Sequence, residues 1–197
     1  MLISVVATLA LQVASLPSCD SLEYDGAHEN CVLIADDGTM ATFMFEPGEW
    51  GESGSVVITN ADGACLWADT FETESFFYPR LEDLDGNGFA DILVPLITGN
   101  VNTEMLIFMG GEGGYAVASR ELGGYAFDPV VPGLFVVMAR SSAAERYASF
   151  YTWTGEALGL EASVAIVHQD EDSATCTLAT GATGRGEDFY CSAVMSE

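Results

Sequence analysis

The sequence predicts an all-β fold of antiparallel hairpins, and three observations lead to that prediction. Short runs rich in Val, Ile, Phe, Tyr and Thr recur along the 197 residues. Clusters of Asp, Asn and Gly separate these runs about every 8–15 residues, the spacing expected of hairpin turns. The only helical candidate is a short turn near residues 141–146.

Each predicted strand ends at residues that favour turns. The first hairpin joins residues 31–35 and 39–45 through Asp36-Asp37-Gly38, and the second joins residues 55–59 and 64–67 through residues 60–63. The later predicted strands are 89–97, 104–109, 115–118, 134–138, 148–153, 158–167, 174–178 and 189–194. Four blades of about 40–45 residues would use the chain after residue 18. The pattern therefore favours a small or partial β-propeller-like architecture, with a β-sandwich or barrel as the alternatives.

The N-terminal segment predicts export. Residues 1–18 carry no charge, and the apolar run is shorter than the about 20 residues that a membrane span needs. We interpret residues 1–18 as a signal peptide and residues 19–197 as one all-β domain, although the usual positive charges near Met1 are missing. A buried N-terminal strand is the alternative. Cleavage after Ser15 fits the small residues there, whereas Leu16-Pro17-Ser18-Cys19 resembles a lipobox and predicts lipidation of Cys19.

The charge balance excludes some partners. The chain has 30 acidic residues, five arginines and no lysine, which gives a net charge of −25. Such a surface repels nucleic acid and anionic membranes, so we expect membrane contact only through an N-terminal lipid anchor. It favours a cationic partner, while adaptation to a saline habitat is the alternative.

The nine residues from Asp83 to Asp91 predict a calcium site. Side-chain oxygens of Asp83, Asp85, Asn87 and Asp91 fall at positions 1, 3, 5 and 9, and the Phe89 backbone carbonyl completes the predicted ligands. Ca²⁺ takes six to eight oxygens at about 2.3–2.6 Å. Glycines at positions 4 and 6 allow the positive φ of a tight turn. An Asp/Asn/Gly-rich hairpin turn without a metal is the alternative.

This stretch differs from an EF-hand. Position 12 is Val94, where an EF-hand has a bidentate Glu, and residues 89–94 predict a strand where an EF-hand has a helix. Pro79 also disfavours a helix that enters the loop.

The five cysteines predict an oxidising compartment. If Cys19 is lipidated, four remain, the even number expected of disulfide-bonded proteins. Three connectivities are possible. We favour Cys31–Cys65 and Cys176–Cys191, because each pair brackets local hairpins.

Residue patterns typical of catalysis are weak. His28 and His168 are the only histidines, and no Gly-x-Ser-x-Gly elbow is present. The acidic run after His168 could form a second cation site, but a solvated turn is the preferred interpretation. Residues 110–114 predict a hairpin turn rather than a phosphate-binding loop. We expect Phe71, Phe76, Phe77, Tyr78, Tyr151 and Trp153 to form core, with a binding patch as the alternative. The prediction is a protein that is not an enzyme.

Residues 83–94 resemble the calcium loop and following strand of FG-GAP/VCBS propeller repeats. A longer pattern, over residues 70–160, resembles small exported bacterial proteins with a single such loop. It includes Asn100, Arg120, Arg140 and Trp153. The resemblance implies a calcium-binding, propeller-like protein, and some such proteins are immunity proteins that inhibit lysozyme-like peptidoglycan hydrolases.

We therefore expect an exported, periplasmic or cell-surface protein that inhibits a cationic cell-wall hydrolase. Acidic loops would meet a basic cleft that normally holds anionic peptidoglycan. A cell-surface adhesion or carbohydrate-binding module is the alternative, in which calcium contributes directly to ligand capture.

Overall fold

Three antiparallel β-sheets follow one another along the chain. The structure is a computed structural model that describes residues 16–169, 173–181 and 185–195. Within each sheet, strands that are consecutive in sequence are also neighbours in space. The all-β prediction is confirmed. Four-stranded meanders of this kind are the units from which β-propellers are built.

The first sheet contains both hairpins predicted from Asp/Asn-Gly turns. Its strands are β1 (Cys31–Ile34), β2 (Met40–Pro47), β3 (Glu52–Thr59) and β4 (Cys65–Thr73). The turn glycines Gly38 and Gly63 have φ near +80°, a conformation that glycine adopts without the steric cost of a Cβ. Asp37 stabilises the first turn by accepting a hydrogen bond from the backbone N–H of Thr39 at 2.8 Å.

The second sheet lies between the other two in sequence, and its central strands are buried on both faces. The strands are β5 (Arg80–Glu82), β6 (Asp91–Thr98), β7 (Thr103–Gly111) and β8 (Gly114–Gly124). Because successive strand residues point to opposite faces, Ile92 and Val94 pack into the core shared with the first sheet. Leu93 instead joins a second core that includes Phe135 of the third sheet.

The third sheet is larger and carries a helix. Its strands are β9 (Ala126–Val131), β10 (Leu134–Arg140), β11 (Glu145–Trp153), β12 (Leu158–His168) and β13 (Ala174–Gly181). Helix α1 (Glu187–Met195) follows and packs against β12 and β13. Within the described ranges, no helix has the length and apolar character needed to cross a membrane.

Two local predictions are wrong. Residues 189–194 belong to α1 rather than to a strand, because the Cys176–Cys191 disulfide and the buried Tyr190 hold this segment against the sheet. The predicted helical turn near residues 141–146 is a tight connection between β10 and β11. Its backbone N–H groups at Ser141 and Ser142 both donate to the Glu145 carbonyl.

The N-terminal residues that the structure describes belong to the first sheet. The Val32 N–H donates to the Pro17 carbonyl at 3.0 Å, and Ser18 forms a parallel bridge with Val32. Cleavage after Ser15 would keep these contacts. Residues 1–15, which contain most of the predicted signal peptide, lie outside the described residues.

Candidate metal centre

The predicted calcium loop connects β5 to β6 at the junction of the second and third sheets. Its glycines, Gly86 and Gly88, both have positive φ, as the spacing predicted. Leu84 is fully buried in the core between these two sheets. The Asp85 carbonyl accepts a hydrogen bond at 2.5 Å from the N–H of Gly133, in the turn before β10. The loop is therefore anchored from both sides.

Three of the predicted ligands converge. One carboxylate oxygen from each of Asp83, Asp85 and Asp91 lies within 4.8 Å of the other two. Asp83 is exposed, whereas Asp85 and Asp91 are buried. This is the one such cluster of acidic, histidine or cysteine side chains among the residues that the structure describes.

Backbone N–H groups orient these carboxylates. Asp91 accepts hydrogen bonds from Leu84 and Gly110, each at 2.8 Å. Asp83 accepts from the N–H groups of Asn87 and Gly88, each at 3.0 Å. Such bonds favour the ionised form and fix the direction of the carboxylates, so less ordering remains to be done when a cation binds.

Asn87 and Phe89 take different positions from the aspartates. The Asn87 side-chain nitrogen donates to Asp85 Oδ2 at 3.2 Å and to the Gly110 carbonyl at 2.9 Å. The Asn87 oxygen accepts from the Phe89 N–H at 2.7 Å. The amide thus touches the cluster through its nitrogen. Coordination through oxygen needs the amide group to turn over, and the Phe89 carbonyl remains a predicted ligand.

The electrostatics of the cluster favour a cation. Burial raises the pKa of Asp91 to about 7, and the neighbouring charges of Asp85 and Asp83 act in the same direction. The hydrogen bonds from Gly110 and Leu84 lower this pKa, but their effect is smaller than that of burial. Burial also raises the pKa of Asp85, and the Asp83 charge acts in the same direction. A bound cation would relieve both the desolvation and the mutual repulsion. Oxygen-only ligands of this kind suit a hard ion such as Ca²⁺ or Mg²⁺.

The other predicted site residues have mixed outcomes. The Cys176–Cys191 disulfide is confirmed. The predicted Cys31–Cys65 bond is wrong, because Cys31 pairs with Cys19 and Cys65 is an exposed free thiol. Strands β1 and β4 lie at opposite edges of a four-stranded sheet. They are about 14 Å apart at the usual strand spacing, too far for a disulfide. The predicted lipidation of Cys19 is also wrong for the disulfide-bonded chain, because the Cys19 sulfur is bonded to Cys31.

The structure describes the contacts of the His28 side chain, but it does not describe the acidic residues that follow His168. His28 is buried, with Nδ1 at 2.5 Å from Glu52 and Nε2 at 3.0 Å from the Phe77 carbonyl. The predicted acidic partners of His168 lie outside the described residues.

One exposed aromatic side chain was not predicted, and two others were expected mainly in the core. Trp50, at the tip of the β2–β3 hairpin, is 75 % exposed. Phe76 and Phe77 are each about half exposed, whereas Phe71 is in the core as predicted. The signal for Trp50 was its place between Gly48 and Gly51, since a hairpin tip of that kind turns away from the sheet.

Comparisons with known proteins leave the family open. No protein-family model matches the chain, and no curated protein matches it. A solved structure described as that of a Xanthomonas type IV secretion system related protein is similar in fold, with a TM-score of 0.52 and 8 % sequence identity. The similarity covers 80 % of this chain and 90 % of that one, and at this identity it shows the fold alone.

Proposed function

We propose that this protein is an exported, non-catalytic β-protein that binds and inhibits a cationic peptidoglycan hydrolase. The observation that carries the proposal is the uncompensated negative charge of the folded chain. Of the five arginines, Arg80, Arg120 and Arg185 form ion pairs with carboxylates of the chain itself. Most of the 30 acidic residues therefore remain for an outside partner.

Inhibition would act by occlusion of the hydrolase cleft. An enzyme that holds an anionic cell-wall polymer benefits from a basic cleft, and an acidic protein competes for the same surface. Complementary charge raises the association rate and selects the partner more than it adds affinity.

A divalent ion at Asp83, Asp85 and Asp91 would have a structural role in this function. Calcium at about tenfold over its Kd would stabilise the folded chain by roughly 1–2 kcal/mol. The ion would hold the loop between β5 and β6, which is hydrogen-bonded to the turn before β10 of the third sheet. Without a bound ion, Asp85 and Asp91 are buried away from water with no cation to offset their charge, and this desolvation raises their pKa values.

The compartment and the fold are consistent with this function. Two disulfides fit an oxidising compartment, such as the periplasm or the cell surface. The solved structure with a similar fold is described as related to a type IV secretion system. We propose that the present chain also acts where proteins are secreted, with a secreted hydrolase as its partner.

Non-catalytic binding agrees with the state of His28. Both of its ring nitrogens are engaged, by Glu52 and by the Phe77 carbonyl, so neither is directed at a nucleophile.

An inhibition assay tests the proposal. Purified protein with calcium is added to lysozyme-like hydrolases encoded near its gene, and lysis of cell-wall suspensions is followed by turbidity. We expect inhibition at a molar ratio near one, weakened by salt. Full hydrolase activity in the presence of excess protein at low salt would exclude this function.

The exposed Trp50 favours one other candidate, a carbohydrate-binding or adhesion module. An aromatic ring at the surface can stack on a ligand face. In that case calcium chelation should abolish glycan binding while the fold persists, and glycan arrays should give hits. The hydrolase proposal predicts neither result.

A further inference from the structure

Five exposed apolar side chains are gathered around three adjoining grooves. A groove of about 690 Å³ is lined by Tyr24, Phe76 and Phe77 among others. A second of about 360 Å³ shares Tyr24 and adds Trp50. A third of about 300 Å³ shares Trp50 and adds Ile97. Because neighbouring grooves share residues, the five side chains form one continuous region, here called the aromatic surface.

We infer that the aromatic surface is the docking site for the basic face of a protein partner. The inference rests on the proposed function where it identifies that partner as a cationic hydrolase. It goes further in assigning the contact to one region of the fold, whose grooves are not lined by residues 83–91.

The negative charge around the aromatic surface selects a cationic occupant. The three grooves are lined by seven acidic residues: Asp20, Glu23, Glu52, Glu72, Glu74, Glu104 and Glu121. The cationic side chains that line them are Arg80 and Arg120, and these pair with Glu82 and Asp69. Among these seven, Glu52 contacts His28, and the other six form no ion pair among the described residues. Exposed aromatic rings beside such carboxylates suit Lys and Arg side chains, which bind ring faces through cation–π contacts and carboxylates through ion pairs.

The Trp50 side chain is presented by a rigid hairpin tip. The Gly48 N–H donates to the Gly51 carbonyl at 3.0 Å and closes the turn. Gly51 has φ of +85°, and a Cβ at this position would collide with the Thr73 carbonyl at the end of β4. Because the tip is already ordered, little conformational entropy is lost when Trp50 is buried by a partner.

His28 links the three chain segments that carry the aromatic surface, which contain Tyr24, Trp50 and Phe77. It lies four residues after Tyr24. Its Nδ1 and backbone N–H both contact the Glu52 carboxylate, at 2.5 and 3.0 Å, just after the Trp50 tip. Its Nε2 lies 3.0 Å from the backbone carbonyl of Phe77. The rings from different segments are thus held in a fixed arrangement before binding.

Exposed apolar residues elsewhere supply matched controls. Leu160 on β12 is 50 % exposed and Tyr125 is 39 % exposed, comparable to Phe77 and Tyr24. Both lie outside the three grooves. Their truncation removes exposed apolar area without touching the aromatic surface.

Binding measurements on the full chain test the inference. The variants are Trp50→Ala, Phe77→Ala and Glu74→Gln, with Leu160→Ala and Tyr125→Ala as controls, and each is checked for an unchanged melting temperature. Dissociation constants are measured in calcium at about 1 mM. The probes are the hydrolase encoded beside the gene, egg-white lysozyme and cytochrome c, the last as a basic protein without hydrolase activity.

We expect Trp50→Ala to weaken hydrolase binding about 30-fold or more, as for a buried interface anchor. Phe77→Ala should weaken it by a smaller factor. Glu74→Gln should mainly slow association and reduce its salt dependence. The two control variants should bind like the unmodified chain.

The outcomes separate this inference from the proposed function. If the unmodified chain inhibits the hydrolase and Trp50→Ala inhibits equally well, the docking site is wrong and the function stands. If only cytochrome c binds, and does so through Trp50, the basic-protein surface stands and hydrolase inhibition is wrong. Glycan binding through Trp50, or no binding to any basic protein, overturns both.

Discussion

The carboxylate of Asp91 accepts a hydrogen bond from the backbone N–H of Gly110 at 2.8 Å. Asp91 begins β6 and Gly110 lies near the end of β7, so the bond closes the metal loop against the neighbouring strand. A Cβ at Gly110 would lie 2.6 Å from the Ala90 carbonyl oxygen and press on the Tyr115 ring. The loop therefore needs a residue without a side chain at this point.

Gly110→Ala is expected to damage both stability and metal binding. The forced displacement of β7 should lower the free energy of unfolding by about 1–3 kcal/mol. It should also move the N–H that orients Asp91, and so weaken calcium binding. Urea unfolding and calorimetric calcium titration measure the two effects. Gly111→Ala is the control, since a Cβ there meets nothing within 4 Å. Equal behaviour of the two variants would contradict the prediction.

Asp85→Ala is expected to lower the melting temperature in calcium and to leave the calcium-free value almost unchanged. The variant loses a proposed metal ligand, but it also removes a buried carboxylate whose pKa burial raises. Differential scanning calorimetry with calcium and with a chelator gives the comparison. Asp62→Ala, in the exposed turn before β4, is the control. Equal shifts with and without calcium would mean that Asp85 has no role in metal binding.

The calcium-free protein is expected to lose stability as pH rises from about 4 to about 7. Burial raises the pKa of Asp91 to about 7 from 3.8, so the folded chain holds a proton that the unfolded chain releases. Stability is highest where Asp91 is protonated in both states, and it falls as pH rises until the folded form also ionises. The loss from Asp91 is at most about 4 kcal/mol.

Asp91→Asn isolates this effect from the general repulsion among acidic residues. As pH rises from about 4 to about 7 without calcium, the free energy of unfolding of the unmodified chain should fall relative to that of the variant. If Asp91 is a ligand, calcium binds its ionised carboxylate, so the stabilising effect of calcium on the unmodified chain should be larger at about pH 8 than at about pH 5. A pH-independent calcium effect would argue against Asp91 as a ligand.

Cys31→Ser is expected to lower the free energy of unfolding by about 3 kcal/mol, because the disulfide to Cys19 closes a short loop. Cys65→Ser should leave stability unchanged, since Cys65 is exposed and free. Thermal unfolding without reductant measures both. Mass spectrometry of the non-reduced digest should show Cys19 linked to Cys31. A Cys31–Cys65 peptide would disagree with the structure.

His28→Ala is expected to destabilise the chain by about 2–4 kcal/mol and to loosen the aromatic surface. The variant leaves Glu52 and the Phe77 carbonyl without their partner and removes a ring stacked on Phe45. Hydrogen exchange should become faster in residues 74–79. Tyr24→Ala, which removes a partly exposed neighbour of His28, is the control. Unchanged hydrogen-exchange rates in residues 74–79 would mean that His28 does not stabilise this loop.

Some of the site was predictable because its geometry is local. The alternate spacing of Asp83, Asp85 and Asn87, and the glycines between them, depend on backbone conformations within a few residues. The positive φ values of Gly86 and Gly88 agree with that pattern, whereas β6 starts at Asp91 and not at residue 89 as predicted. The role of Gly110 was not predictable, because it comes from the pairing of β6 with β7.

Other features depended on distant contacts. Residues 189–194 have the aromatic and apolar character of a strand, but Tyr190 is buried and its hydroxyl donates to Glu161 on β12 at 2.7 Å. Glu187 and Asp188 in the first turn of α1 were the local signal for a helix. Phe76 and Phe77 were expected mainly in the core, and their exposure follows from the loop that His28 holds outside it.

By itself, the sequence determined the all-β class, the turn positions, the oxygen-rich loop and the acidic surface, because each follows from short-range backbone sterics or from composition. The tertiary structure alone decided the Cys19–Cys31 pairing, the burial of Asp91 and the placement of Trp50 and Phe77 at adjoining grooves that share Tyr24. These features depend on which sheet edges and loops become neighbours in space. No local sequence pattern shows how close two residues far apart in the chain will lie.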